Sequence, residues 1–133
     1  MSVNVVDIDN QHQQLFSLFD SIKQDFKTSE GQNNIGEKLD LLFKAVHVAF
    51  ETEEFYFEKF EYKDVLRHKE EHHDFLKKLK NFKELSVSSK PGTALFELNS
   101  LNEWFLNHVS VSDDRFGDFI RKNSLNQFLK ASG

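Results

Sequence analysis

The sequence predicts an all-α protein, an up-down-up-down antiparallel four-helix bundle with a short C-terminal helical tail. Helix-breaking residues are scarce, with one Pro and five Gly among 133 residues. Apolar residues recur at alternating steps of three and four through most of the chain, the pattern of helices with one buried face. Turn-rich segments separate four such stretches, and short connections place consecutive helices antiparallel.

The first predicted helix carries a histidine within its apolar stripe. We expect this helix to begin near Asp7 or Asp9, either of which is a suitable N-cap, and to end in the turn-rich residues 28–34. Because residues at this spacing share one helix face, His12 takes an interior position. The stripe consists of Ile8, His12, Leu15, Phe19, Ile22 and Phe26.

The second predicted helix carries a carboxylate in the same way. It begins near Ile35 and ends around residues 60–63, and Glu53 interrupts its apolar face. His47 lies two residues from the stripe position Ala49, about 200° around the helix, so it is predicted to pair with Glu51 at the surface. The stripe consists of Ile35, Leu39, Leu42, Val46, Ala49, Glu53 and Phe57.

The third predicted helix contains two histidines four residues apart. Because such residues lie one above the other on a helix, the rings of His68 and His72 face one spot inside the bundle. Residues 69–71, with the sequence K-E-E, are predicted to form a solvated face, and His73 to lie at the surface. The stripe consists of Val65, His68, His72, Phe75, Leu79 and Phe82.

The fourth predicted helix follows a loop at residues 86–92 and again ends on a histidine. Trp104 and Val109 flank its stripe, and Asp113 follows near a predicted helix end. The stripe consists of Ala94, Leu98, Leu101, Phe105 and His108. The helical tail is predicted to cover one end of the core with Phe116, Phe119, Ile120, Leu125, Phe128 and Leu129.

These polar interruptions are predicted to meet inside the bundle. Counted from the centres of the three turns, their positions agree within one or two helical turns. A buried carboxylate without a partner is unfavourable, and no Arg or Lys stands on an interior stripe. Each histidine alone has an ordinary explanation as a hydrogen-bonded core residue, but four histidines and two carboxylates together favour a metal site.

The donor atoms narrow the choice of metal. Imidazole and carboxylate ligands without sulfur suit iron, manganese or zinc, and two carboxylates can bridge two ions. The ferritin-like pattern needs Glu-x-x-His pairs on two helices, and none stands at interior positions here.

Composition excludes several other function classes. The absence of Cys removes disulfides and thiolate metal sites. A net charge of −5 with mixed signs disfavours a nucleic-acid surface. No apolar run reaches the ~18–20 residues of a membrane span, and residues 1–10 do not resemble a signal peptide. We therefore expect one cytoplasmic domain over residues 1–133, with no nucleic-acid or membrane partner.

Four motifs together resemble the hemerythrin family, in its single-domain bacterial branch. They are I-D-N-Q-H-Q-Q-L-F (8–16), A-F-E-T-E-E (49–54), H-K-E-E-H-H-D-F (68–75) and W-F-L-N-H-V-S-V-S-D (104–113). The resemblance implies two non-haem iron ions that bind O₂ reversibly, bridged by two carboxylates and an oxo or hydroxo group. By motif, it assigns one iron to His68, His72 and His108, the other to His12, and the bridges to Glu53 and Asp113.

One position departs from the family pattern, H-F-x-x-E-E. Ala49 stands where the family has a histidine, so the second iron is predicted to lack an imidazole, to bind more weakly and to be more open. An alignment through His47 and Glu51 would put both off the apolar stripe. His47 would substitute only if the helix were overwound or bulged there. The resemblance also assigns the O₂ pocket to Leu15, Trp104, Phe105 and Val109, although core packing explains each equally well.

The function expected from these residues is O₂ binding, carriage or sensing, without enzymatic activity. Two alternatives stay open. A di-iron protein with oxidase- or peroxidase-like reactivity would need a substrate path and a proton donor. A metal-poor interaction or sensory module would fold fully without metal.

Overall fold

The computed structural model describes residues 5–86 and 90–132, with side chains described through residue 123. The elements are α1 (Val6–Asp25), α2 (Ser29–Gln32), α3 (Ile35–Lys59), α4 (Val65–Ser86), α5 (Pro91–His108), a π-helical segment (Val109–Asp113) and α6 (Asp114–Ser132). The four predicted helices are α1, α3, α4 and α5. Each packs on the next and α5 packs back on α1, so the predicted all-α bundle is confirmed.

Helix ends differ from the predictions at several places. α1 ends at Asp25, before the predicted turn-rich residues 28–34, and within those residues Ser29–Gln32 form α2. α1 begins at Val6, and its N-cap Val5 makes no side-chain hydrogen bond. Asp7 and Asp9 instead lie in the first turn, where carboxylates interact favourably with the helix dipole. α5 begins within the predicted loop, at Pro91, because proline is well suited to the first helical position.

The largest difference lies after His108. The predicted helix end near Asp113 is wrong, because the backbone continues through the π-helical segment into α6. In an α-helix, residues five apart point about 140° away from each other. A π-helix bonds residue i to i+5 and brings such residues to one side, so Asp113 joins His108 in the interior.

The core consists of two apolar clusters. The large cluster fills most of the space between α1, α3, α4 and α5, with Phe19 and Phe75 fully buried. The small cluster joins Ile8, Phe57 and Tyr62 to Phe116 and Ile120 of α6. The tail thus covers one end of the core as predicted, with Phe119 partly buried against it. The predicted contacts of Leu125, Phe128 and Leu129 lie outside the described side chains.

Within the described residues, no helix has both the length and the apolar composition that crossing a membrane requires.

Candidate metal centre

A layer of polar side chains lies between the two apolar clusters. On α1, His12 stands between Ile8 of the small cluster and Leu15 of the large one. The site residues of α3 and α4 are flanked in the same way. All six predicted metal-site residues are at most 3% exposed: His12, Glu53, His68, His72, His108 and Asp113. The structure therefore brings the whole predicted set into the interior.

Glu53 of α3 divides its two oxygens between different helices. Its Oε1 lies 3.0 Å from Nε2 of His12 on α1. Its Oε2 lies 3.1 Å from Nε2 of His72 and 3.3 Å from Nε2 of His68, both on α4. One carboxylate thus contacts both sides of the polar layer.

Asp113 repeats this division from the π-helical segment. Its Oδ2 lies 3.2 Å from Nε2 of His12. Its Oδ1 lies 2.7 Å from Nε2 of His68 and 3.1 Å from Nε2 of His108. Each carboxylate therefore presents one oxygen to His12 and the other to the three-histidine group, an arrangement suited to bridging two ions.

Hydrogen bonds alone do not satisfy the buried imidazole nitrogens and carboxylate oxygens of this layer. Nε2 of His108 lies 3.1 Å from Nε2 of His68 and 3.2 Å from Nε2 of His72, and one proton at most fits between each pair. Both oxygens of Asp113 are buried without a hydrogen bond of normal geometry, although imidazole nitrogens lie 2.7 to 3.2 Å away. A cation that accepts lone pairs from all of these atoms fits the donor set.

Five of these residues form the most compact group. One ligand atom from each lies within 4.8 Å of all the others: Glu53, His68, His72, His108 and Asp113. His12 lies on the other side of the two carboxylates. The described residues therefore contain a buried cluster able to hold metal, with unequal numbers of imidazoles on its two sides.

Two carboxylates outside this group orient the histidine rings. Nδ1 of His108 donates to Oε2 of Glu71 at 2.8 Å, and the hydroxyl of Ser112 donates to the same oxygen at 2.6 Å. Nδ1 of His72 lies 3.4 Å from Oε2 of Glu54. An acceptor on Nδ1 leaves the Nε2 lone pair directed at the cluster, as metal-binding histidines require.

The sequence reasoning missed Glu71, which belongs to the K-E-E run predicted to be a solvated face. A metal-binding histidine generally needs an acceptor for its second ring nitrogen, and this need could have pointed to a nearby carboxylate such as Glu71. Glu71 stands next to His72 on the side of α4 that borders α5. The structure therefore corrects the prediction for this residue.

Aromatic rings hold the imidazoles from outside. Phe50 stacks on His72 at 3.8 Å between ring centroids and 5° between planes, and Phe57 lies 4.5 Å from the ring of His68. Trp104 stacks on His108 at 5.1 Å. Such contacts restrict the rings to one orientation.

The residues predicted to line an O₂ pocket all lie in or against the core. Trp104 contacts His108, and Phe105 meets His12 edge-on at 6.0 Å. Leu15 and Val109 are buried in the large cluster. Their role towards O₂ stays a prediction.

On α3, Ala49 is buried and His47 is exposed, as the apolar stripe predicts. Ala49 is 1% exposed, and it lies on the buried face one turn before Glu53. The side chain of His47 is 50% exposed, and its Nδ1 lies 3.2 Å from Oε1 of Glu51. α3 is α-helical from Ile35 to Lys59, so no bulge turns His47 inward. His73 is exposed.

Electrostatic interactions hold the cluster in an ionised state. Burial alone would lower the pKa of His12, but Asp113 and Glu53 raise it to about 9. Burial opposes the charged form of His108 too, yet Asp113 and Glu71 raise its pKa to about 10. The hydrogen bond from His108 lowers the pKa of Glu71 to about 2.

We expect metal binding to release protons. With pKa values of about 9 and about 10, His12 and His108 are protonated in the metal-free protein at pH 7.5. Because a metal ion needs their lone pairs, and because Asp113 and Glu53 raise the pKa of His68 as well, loading both sides should release at least about two protons per chain. The apparent metal affinity should rise with pH until these groups deprotonate. Titration calorimetry in buffers of different ionisation enthalpy measures the release, and fewer than one proton at pH 7.5 would contradict the expectation.

Substituting Glu71→Gln should weaken metal binding by about 10–100-fold, the usual effect of removing a carboxylate partner from a metal-binding histidine. The amide keeps the shape but loses the charge that faces His108. Glu70→Gln is the matched control, since Glu70 is exposed on the same helix. Competition with a chelator gives the affinities, and equal values for the two variants would show that Glu71 has no influence on the metal.

Comparison with known protein families identifies a match. The family model Hemerythrin, described as Hemerythrin HHE cation binding domain, matches residues 3–120. No curated protein matches the chain. The matched segment contains every residue of the polar layer.

Proposed function

The chain belongs to the hemerythrin family, and from this premise we propose that it binds O₂ reversibly at two non-haem iron ions. The observation that carries the proposal is that the two oxygens of each buried carboxylate face different groups of histidines. Glu53 and Asp113 each offer one oxygen to His12 and the other to the three-histidine group. Two ions placed side by side would use all four oxygens.

The proposed ligand sets are unequal. His68, His72 and His108 would hold one iron, His12 would hold the other, and Glu53 and Asp113 would serve both. Because Ala49 supplies no ligand, the second iron would bind more weakly. When bound, the iron pair supplies the electrons for reversible O₂ binding.

The six proposed ligand residues are each at most 3% exposed. Apolar side chains lie on both sides of the polar layer, including Phe57 and Phe105. Such a site suits a diatomic ligand, and we propose that the protein is not an enzyme.

Iron analysis combined with visible spectra tests the proposal. Protein loaded with ferrous iron without air should contain two irons per chain and gain a visible absorption band in O₂. The band should disappear under argon and return over repeated cycles. A band that never reverses would indicate oxidase-like chemistry, and a fully folded chain that takes up no iron would indicate an interaction module.

A further inference from the structure

The outward face of α3 carries an exposed apolar stripe. Leu41, Val48 and Phe55 are 57%, 52% and 61% exposed. Their spacing of seven residues places all three on one face of the helix. Single exposed apolar residues are ordinary, but this spacing is typical of a seam between two helices.

On its α1 side, the stripe borders a groove that no charged side chain lines. A shallow groove between α1 and α3 is lined by amide and hydroxyl groups of α1 and by Leu18, Leu41 and Ala45. Charged residues make up 29% of the chain, so a groove lined by none stands out from the rest of the surface. Depletion of charge is typical of the centre of a protein interface.

The stripe is symmetric about its middle residue. Leu41 lies seven residues before Val48, and Phe55 lies seven residues after it. A twofold axis through Val48, perpendicular to α3, would place Leu41 against the partner's Phe55 and Val48 against the partner's Val48. An interface between identical chains requires such reciprocal contacts.

Two pairs of charged residues beside the stripe have opposite signs at positions symmetric about Val48. Glu37 lies eleven residues before Val48 and Lys59 eleven residues after it, each one turn beyond the stripe and exposed. Lys44 and Glu51 lie four residues before and three after, on one flank. Antiparallel pairing sets Glu37 near the partner's Lys59 and Lys44 near the partner's Glu51. Parallel pairing would instead set like charges together.

We propose that the α1–α3 face is the interface of a symmetric homodimer, in which the α3 helices of two copies pack antiparallel about a twofold axis at Val48. The segment from Glu37 to Lys59 extends over about 33 Å of helix. At a helix width of ~10–12 Å this segment covers roughly 330–400 Å², about half of the ~800 Å² per partner of a standard interface, and the groove beside it adds further area. The dimer is independent of the metal proposal.

Sedimentation equilibrium of the full chain tests the dimer, with and without metal. The chain should be dimeric at 100 μM. Val48→Glu places two carboxylates together at the axis and should raise the dissociation constant at least ~100-fold. Leu66→Glu is the matched control, because Leu66 is 77% exposed on α4, and it should stay dimeric. A chain that stays monomeric would leave this face to another occupant and overturn the homodimer.

Two further variants test the antiparallel arrangement. Glu37→Lys and Lys59→Glu should each weaken the dimer about tenfold or more, and the double exchange should restore it. Since the chain contains no Cys, Val48→Cys should give a disulfide-linked dimer on mild oxidation, whereas Leu66→Cys should not. A dimer that shows no charge rescue, and that the Val48→Cys variant does not cross-link, would place the interface elsewhere and contradict the proposal.

Discussion

Replacing His68 or His108 by Ala should remove most of the iron from the proposed metal centre. Nε2 of His68 lies 2.7 Å from Asp113 and 3.3 Å from Glu53, so this ring contributes to the most compact part of the cluster. Loss of either imidazole should weaken iron binding by more than the ~10–100-fold that follows from losing an outer carboxylate partner.

The reason lies in what each substitution leaves behind. Glu53 and Asp113 are buried, and imidazoles lower the pKa of both carboxyl groups. Removing one ring takes away a ligand and also leaves these carboxylates less compensated. The metal-free variants should therefore unfold at a lower temperature than the metal-free parent, in addition to binding less iron.

His47→Ala is the control, because it removes an imidazole from the exposed side of α3. The side chain pairs only with Glu51 in the described contacts, across 3.2 Å. Iron content, measured after gel filtration and referred to protein concentration, should stay at the parent value. Loss of one iron equivalent from this variant would show that the alignment through Ala49 is wrong.

The fold and the convergence of the site follow from periodicity. Steps of three and four residues put His12, Glu53 and His68 on apolar stripes, and a side chain on such a stripe has to enter the core. Short connections then fix the order of the helices. The stripe also predicted that Ala49 is buried and His47 exposed, and the structure confirms both.

The remaining features depend on information that periodicity does not carry. The α-helical spacing places His108 and Asp113 on different faces, and only the π-helical segment unites them. Glu71 has the sequence context of a surface residue and is recruited by Nδ1 of His108. Such contacts depend on the side-chain geometry of two helices at once, so one helix's pattern does not predict them.

Substituting Ala49→His should increase occupancy of the second iron and make O₂ binding more reversible. Ala49 lies one turn before Glu53 on the buried face of α3, and Glu53 places Oε1 towards His12. An imidazole at this position would add a second histidine on the side where only His12 stands now. The expected gain is an iron content closer to two per chain and slower irreversible oxidation.

The substitution should also lower the stability of the metal-free protein and increase the stabilisation that iron provides. Ala49 is 1% exposed, and a ring forced into a packed core destabilises by about 1–3 kcal/mol. The metal-free variant should therefore melt at a lower temperature than the parent. Iron should then raise its melting temperature by more than it raises that of the parent, since binding to the folded state alone is stabilising.

Ala45→His is the matched control, because it introduces the same ring one turn earlier, at a partly exposed position beside the α1 groove. It should change neither iron content nor the metal-dependent stabilisation. If Ala49→His behaves like Ala45→His in both measurements, the missing imidazole does not limit the second iron. The occupancy of the second iron would then be set by Glu53 and Asp113, because these carboxylates are the only other ligands proposed on the side of His12.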